Sequence, residues 1–503
     1  MNELILGVDI GTTGTKTIVV NPEGEILAIA YKGYPTYTLH NTWAEQDAMD
    51  WWDAVVATIR ECIRDEEIRK NIVGIGLSSQ GGSLVPVDDH GKPLRKSITW
   101  MDQRASAQYE ELRKKNLDDY VYRTTGWKLG SGLNALQILW LRENEPDLFR
   151  RTYKFLSTID FIAYKLTGEF AIDPSSAGIT QLMNIHQKKW DSDIMDRVGI
   201  REDKLPLLMD SGNVIGKLSE TAREELGLAE NVIVVAGAHD QYCSATGAGV
   251  VGTEDILLAT GSAWVVLGVS DSYKEEFHDH IAQSRHAAEE KWGTLVSMGP
   301  NGRVMEWFKD NLGKEVVNND GSKYVEEFGQ IDGKAAEKPP GANGLMFYPS
   351  FSGVYYIDKA KLNKGTILGL AFNHDRYDIA RALMEGVAFD VRSVIEIFYP
   401  QTFKKGTLVM AGGAAQSILW PQIIADVMGV LINIPKVKHT SCLGAAIIAG
   451  KALKWFPTII EGSRRLVSYI DTYEANPDNV EKYQQLFTQY KKQLKLITEC
   501  YIN

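Results

Sequence analysis

Twice in this chain an apolar strand runs into a short turn of Gly, Thr and Ser and out again into a second strand. That recurrence restricts the fold more than any other feature. The first instance is Leu4–Ile10, a turn over Gly11–Lys16, and the β-branched run Thr17–Val20. The second is Ile256–Ala259, the turn Thr260-Gly261-Ser262, and Trp264–Val269. After the first pair, Asn21-Pro22-Glu23-Gly24 reads as a turn and Ile26–Tyr31 as a third strand. Trp51, Trp52, Val55, Val56, Ile59 and Ile63 share one helical face, and Ile72–Leu77 is a buried-strand candidate ending in the polar turn Ser78–Gly82. Val232–Ala236 is a further apolar run, and it ends at Gly237-Ala238-His239-Asp240. Strands alternating with helices predict an α/β fold. The recurrence predicts two halves of similar design, joined between about Asp240 and Asp255. A chain of 503 residues exceeds one ordinary core, so two domains of about 200–250 residues are expected.

Two later regions complete the outline. Gly313–Pro340 is charged and rich in Gly and Lys, with a helix expected around Lys323–Phe328. At the C-terminus, Asn476 is a cap, Pro477 suits the first helical position, and Val480, Tyr483, Leu486, Phe487, Tyr490, Leu494 and Ile497 form one face.

Composition excludes several function classes. The formal net charge of −11 argues against nucleic-acid binding, which needs a basic face for phosphates. No apolar stretch is long enough to span a bilayer. Leu4–Val8 runs directly into Asp9, without the pattern of a signal peptide. The cysteines Cys62, Cys243, Cys442 and Cys500 are too far apart in sequence for a zinc or redox motif. A reduced thiol set and a cytoplasmic location are expected.

The turns carry the chemistry. Asp9-Ile10-Gly11-Thr12-Thr13-Gly14-Thr15-Lys16 combines two glycines, which expose backbone N–H groups, with three threonine hydroxyls. Such a hairpin suits phosphate oxygens, and its leading Asp suits magnesium held through water. A plain β-turn has the same composition. Thr260-Gly261-Ser262 is the matching turn of the second half. Ala411-Gly412-Gly413-Ala414-Ala415-Gln416-Ser417 follows the strand Leu408–Met410 and precedes a helix through Trp420, Ile423, Ile424 and Val427. Its paired glycines admit either a flat ligand or close helix–strand packing. Asp240 stands just past an apolar strand among Gly237, Ala238 and Gly247, where a carboxylate takes a proton from an attacking hydroxyl or simply caps a turn.

Taken together, these segments resemble the FGGY carbohydrate kinase family, of the xylulokinase and glycerol kinase type, over nearly the whole chain. Asp9–Lys16 resembles the family's first phosphate loop, and Trp43-Ala44-Glu45-Gln46-Asp47 followed by Trp51-Trp52 a further family pattern. Gly237-Ala238-His239-Asp240-Gln241 resembles the segment of the catalytic Asp. Gly365 to Glu385, with Gly369, Asp378 and Ala382 in place, resembles the C-terminal signature. The resemblance implies two ribonuclease-H-like domains of the actin/hexokinase superfamily with an interdomain cleft for ATP and sugar. The division it implies is an N-terminal sugar-binding domain at 1–247 and a C-terminal nucleotide-binding domain at 248–503.

The resemblance also implies site residues. ATP would meet Gly11, Thr12, Thr13, Thr15, Lys16, Thr260, Gly261, Ser262, Gly302, Gly412, Gly413, Ala414 and Ser417. Magnesium would sit at Asp9 and Asp240, with Asp240 as the catalytic base. The sugar or polyol would meet Gln80, Gly81, Trp100, Asp102, Arg104, Asp240 and Gln241. In the W-x-D-x-R segment Trp100–Arg104, Asp102 is expected to accept from sugar hydroxyls with Arg104 as its support. An internal ion pair that only shapes the loop is the alternative. A homodimer is implied as well, while no nucleic-acid or membrane partner is expected.

Departures from the family pattern fall on the sugar side. Gly81 and Gly82 replace bulky or charged side chains after Gln80, which disfavours glycerol and predicts a roomier, less polar wall. Asn134 and Gln137 replace Ser/Thr/Pro and Lys, and Val354 and Tyr355 replace Glu and Arg. A ketopentose such as xylulose leads the expected acceptors, followed by polyols such as erythritol or xylitol. A non-catalytic sugar- or ATP-binding protein and an actin-like ATPase are the competing readings, and retention of both Asp9 and Asp240 argues against the first.

Overall fold

A computed structural model describes residues 3–40, 42–277, 281–317, 323–349 and 364–502. Two mixed sheets organise the chain. In the first, the spatial order is Val214–Lys217, Ile233–His239, Ile72–Ser79, Leu4–Ile10, Gly14–Val20, Ile26–Gly33. Ile233–His239, Ile72–Ser79 and Leu4–Ile10 run parallel, and the remaining pairs are antiparallel. In the second, the order is Ala282–Arg285, Trp292–Ser297, Trp264–Ser270, Ile256–Thr260, Thr407–Gly412, Leu431–Pro435, Tyr469–Tyr473. Here Ile256–Thr260, Thr407–Gly412 and Leu431–Pro435 are the parallel set. The two orders superimpose strand for strand except for the extra edge strand Ala282–Arg285, which is the repeat anticipated from the two turns.

Each sheet is covered on its apolar face by long helices. Ala48–Cys62 lays Trp51, Trp52, Val55 and Ile59 on the first sheet, capped by Asp47, whose carboxylate accepts from Met49 N–H. Arg376–Phe398 and the C-terminal helix Pro477–Ile502 bury Phe389, Tyr483, Phe487, Tyr490 and Leu494 in the second half. Asn476 caps the last helix by accepting from Asp478 N–H at 3.0 Å.

A third core joins the halves. The helix Thr440–Ala452 is buried from Cys442 to Gly450, the pattern of a helix covered on all sides. It crosses the first sheet at backbone contact: a Cβ on Gly7 would fall 2.1 Å from Cys442 O, and one on Gly76 would fall 2.0 Å from Ala445 O. Its counterpart in the first half, Asp240–Gly247, crosses it where Gly247 and Gly444 meet the opposite backbone. Ile5, Val235 and Cys243 thereby share one apolar cluster with Leu257, Val409 and Cys442.

One expectation needs correction. Lys323–Val325 is a short strand paired with Glu315–Val317, and the helix begins only at Phe328 and runs to Ala336. β-branched and aromatic side chains at Tyr324 and Val325 favour the extended pairing there. Val354 and Tyr355 lie outside the described residues. No described helix is long and apolar enough to cross a membrane.

Candidate active site

Two groups of the expected residues stand at strand ends: Asp9, Gln80 and Asp240 beside the first sheet, where Ser441 of the second half meets Asp9, and Thr260, Gly413 and their neighbours around a cavity of the second half. The first hairpin pairs as far as Ile10 with Thr15, which leaves Gly11, Thr12 and Thr13 at its tip. Gly11 N–H closes the turn on Gly14 O at 3.1 Å. Asp9, at the end of its strand, accepts from Ser78 Oγ on one oxygen and from Ser441 Oγ on the other, each at 2.7 Å. Ser78 belongs to the first half and Ser441 to the helix arriving from the second, so this carboxylate ties the two halves together. Each of its oxygens keeps further lone-pair capacity.

Asp240 is the first residue of its helix, directly after the strand that carries His239. Its side chain is recessed, 29 % exposed, with His239 Nε2 3.3 Å from Oδ1. That contact lacks hydrogen-bond alignment, so Oδ1 accepts no hydrogen bond. Desolvation, with a smaller contribution from the nearby negative charge of Asp9, pushes the Asp240 carboxyl up to about 7, against the pull of the Gln241 backbone and side-chain donors. Burial pushes the His239 imidazole down to about 4. A half-dry carboxylate poised near neutrality is the property expected of a general base.

The wall opposite is assembled by amide side chains. Gln46 donates from Nε2 to Thr12 O at 2.7 Å and accepts on Oε1 from Gln80 Nε2 at 3.1 Å, which locks the first hairpin to the Gln80 loop. Gln137 Nε2 donates to Gly132 O at 2.9 Å and to Thr99 O at 3.1 Å, gathering two loops around Trp100. Trp100 is 44 % exposed, and its Nε1–H reaches Thr12 Oγ1 at 3.2 Å. Gln80 Oε1, Gln241 Oε1, His239 Nδ1 and Trp127 Nε1 are all buried without a partner. His239 Nδ1, Asp240 Oδ1 and Gln241 Oε1 belong to consecutive residues, so three such atoms fall together at one helix start.

The second half has a cavity of its own. Thr260-Gly261-Ser262, Gly302, Gly413, Ala414 and Ser417 line a cavity of about 420 Å³ with Met305, Phe328, Asp332 and Ile418. Gly413 N–H donates to Thr260 O at 2.9 Å, which joins two of these segments. Gly302 admits no side chain, because a Cβ there would fall 2.1 Å from Gly261 O. Ser417 Oγ accepts from Trp420 N–H at 2.9 Å and caps the helix Trp420–Met428.

Comparison with known proteins now decides the family. The model of the N-terminal domain of the FGGY family of carbohydrate kinases matches residues 4–247, and that of the C-terminal domain matches residues 229–453. The chain belongs to the FGGY family of carbohydrate kinases. A xylulose kinase of Staphylococcus epidermidis is 30% identical over 99% of this chain and 98% of its own. Among solved structures, a xylulose kinase from Rhodospirillum rubrum superimposes with a TM-score of 0.87 at 25% identity, covering 100% of both chains. A gluconate kinase from Lactobacillus acidophilus superimposes with a TM-score of 0.88 at 24% identity, covering 99% of both. The protein is a carbohydrate kinase with the two-domain actin/hexokinase-like fold.

Within this FGGY kinase, two sugar-side expectations change. Asp102 is fully buried, and both its oxygens are occupied. Oδ1 accepts from Arg104 N–H at 2.8 Å and Arg104 Nε at 2.9 Å, and Oδ2 from Ala44 N–H at 2.7 Å and Arg104 Nη2 at 2.8 Å. Arg104 is held in turn by Glu45 at 2.8 Å and lies between the Trp43 and Trp140 rings. In this structure the pair makes the contacts of an internal clamp, and Trp100 is the exposed member of the segment. Nor is the wall at Gly81 roomy. A Cβ there would fall 2.7 Å from His239 Cδ2 and 2.9 Å from Ile179 Cδ1, so these side chains fill the space.

The signature at Gly365–Glu385 is structural. Asp378 accepts from Asp375 N–H at 2.9 Å in a capping box, and Glu385 accepts from Arg381, Tyr483 and Gly341 N–H. Gln46, Gln137 and Ser441 were missed as site-builders. Gln46 lies in a family pattern quoted from the sequence and Gln137 at a departure from one, whereas Ser441 carries no local signal. Among the described residues no cluster of three or more His, Cys, Asp or Glu side chains is arranged to hold a metal. A cation at Asp9 and Asp240 would need phosphate oxygens or water to complete its shell, which fits magnesium.

Proposed function

We propose that this carbohydrate kinase transfers the γ-phosphoryl group of ATP to a hydroxyl of a ketopentose, D-xylulose foremost, with Asp240 as the general base. The observation that carries the reading is the Asp240 carboxyl itself. It is held at a helix start, recessed but still partly exposed, and desolvation pushes it up to about 7. The likeness to xylulose kinases over almost the full chain supports the choice of acceptor.

In this reading the acceptor hydroxyl lies against Asp240, with Gln80, Gln241 and Trp100 as neighbours. Asp240 orients the hydroxyl and takes its proton as the oxygen attacks phosphorus. Thr12, Thr13 and Thr15 of the first hairpin, with Lys16, and Thr260 to Ser262 of the second, donate to phosphate oxygens as charge shifts toward the leaving group. The cavity lined by Gly302, Gly413, Ala414 and Ser417 takes the nucleoside. Magnesium, when bound, neutralises phosphate charge beside Asp9 and Asp240. Asp9, clamped by Ser78 and Ser441, positions this corner from both halves, and approach of the halves excludes water that would otherwise be phosphorylated. The division at 247/248 and a homodimer are part of the same proposal; light scattering tests the second.

The test is ADP release by the purified protein with Mg-ATP against pentuloses, hexuloses, aldoses, aldonates and C3–C6 polyols. The expected result is one dominant ketopentose with activity lost in Asp240→Asn. A polyol or aldonate as the dominant acceptor would overturn the ketopentose assignment. Full turnover in Asp240→Asn would overturn the base.

A further inference from the structure

Gly81 and His239 are far apart in the chain, yet each occupies space the other requires. His239 is 6 % exposed. Its Cδ2 edge lies where a side chain on Gly81 would begin, 2.7 Å from the position of a Cβ. Its Nε2 stands 3.3 Å from Asp240 Oδ1. The remaining faces of the ring are closed by Trp127, edge-on with centroids 6.2 Å apart, and by Tyr242 at 5.9 Å. The backbone is fixed as well: His239 N–H donates to Ser175 Oγ at 2.9 Å, and Ser175 N–H donates to Asp173 at 2.8 Å. Ile179, the other neighbour of the Gly81 position, ends the same short helix as Ser175.

We propose that His239 is a positioning residue for Asp240, and that Gly81 is the space that lets the imidazole stand there. This rests on the reading of Asp240 as the base. With the proton on Nε2, the neutral ring directs a donor at Asp240 Oδ1, the oxygen that no other group holds. Off-axis in the free protein, this contact closes to a hydrogen bond when the acceptor draws the carboxylate into line. The carboxylate then keeps its second oxygen for the hydroxyl proton. Nδ1 remains an acceptor without a protein partner. The Gln80–Ser83 loop therefore shapes the acceptor wall by what it lacks, and the ring supplies the surface that a longer side chain at position 81 would have supplied.

The pairing makes a double-mutant cycle decisive. Steady-state kinetics with Mg-ATP and D-xylulose would be run on the wild type, Gly81→Ala, His239→Ala, the double variant and His239→Gln. Melting temperature and ADP affinity serve as controls for folding. Each single alanine variant is expected to lower kcat ten- to a hundred-fold with KM for ATP within twofold of wild type. Adding Gly81→Ala to His239→Ala is expected to cost several-fold less than Gly81→Ala costs alone, because the ring is gone and only the Ile179 contact at 2.9 Å remains. His239→Gln, which offers an N–H at similar reach, is expected to recover part of the loss. Additive losses in the cycle, or a His239→Ala variant with wild-type kcat, would overturn the proposal. Asp240→Asn run alongside separates the two levels. If it is inactive while the cycle is additive, the base stands and the positioning role falls. If it is active, the base reading itself fails.

Discussion

The two halves are built on the same strand order but diverge just beyond one parallel strand of each sheet. In the first half, Ile233–His239 delivers Asp240 at the start of a helix. In the second, Leu431–Pro435 leads through Lys436 and His439 to Thr440, which begins the matching helix with no carboxylate. Thr440 Oγ1 instead meets Ser244 Oγ at 2.7 Å across the helix pair. One frame thus serves two tasks. The first half carries Asp240, the proposed base, and the amide side chains near it, whereas the second provides the 420 Å³ cavity and the glycine-rich segments around it. The comparison teaches that topology places a cleft at the strand ends, and that a few residues at the equivalent corner decide which side does the chemistry.

The largest expected effect concerns the clamp of the first half. Asp102→Ala removes the acceptor for Arg104 N–H, Nε and Nη2 and for Ala44 N–H, leaving a buried guanidinium under-paired, and should cost about 3–5 kcal/mol of stability. Urea unfolding checks this, and a shift confined to the KM for sugar would restore Asp102 as a direct contact.

The next expectation sets function against stability at Asp240. Its carboxyl titrates near 7 when folded and near the ordinary carboxylate value when unfolded. Below about pH 4 both states are protonated and the group costs nothing. Between about 4 and 7 the unfolded state ionises first, so the wild type loses stability, and above 7 the loss is complete. Asp240→Asn, in metal-free buffer, should therefore gain stability over wild type as pH rises through this window, by up to about 4 kcal/mol at roughly 1.4 kcal/mol per unit. Melting temperatures at pH 4.5 and 8 measure the gain; no difference between them would remove the desolvation argument.

Further down the scale is the junction of the halves. A Cβ on Gly444 would fall 1.8 Å from Cys243 O, and one on Gly247 1.9 Å from Thr440 O. Alanine at either should cost about 1–3 kcal/mol by forcing the helices apart. Similar costs at both sites would show that the crossing is symmetric, and calorimetry on the two variants decides it. The smallest expected effect separates the halves by ligand. Gly302→Ala should raise KM for ATP about tenfold, or about 1.4 kcal/mol, with little change for the sugar. Trp100→Ala should do the reverse. Equal shifts in both constants for either variant would blur the division of labour.

Much of this was legible in the sequence because it is local. The two turns, Asp240 at a strand end, the amphipathic first helix and the Asn476 cap all arise from residues within one or two turns of chain. The features that were not legible join distant segments. Thr440–Ala452 has no apolar stripe because it is buried on all sides, so its place on the first sheet leaves no periodic trace. Saturation of Asp102 depends on Ala44, the hold on Arg104 depends on Glu45, and the filling of the Gly81 space depends on His239 and Ile179. A glycine read alone promises room, while tertiary packing decides whether the room exists.

The central claim is that Asp240 removes the proton of a sugar hydroxyl during phosphoryl transfer. Single-turnover phosphorylation of D-xylulose by wild type and Asp240→Asn, each pre-mixed with Mg-ATP, tests it most directly. The account predicts a fall of about 10²–10⁴ in the rate of sugar-phosphate formation, with sugar affinity within a few-fold of wild type. A variant that phosphorylates at the wild-type rate, or that loses only affinity, would contradict it.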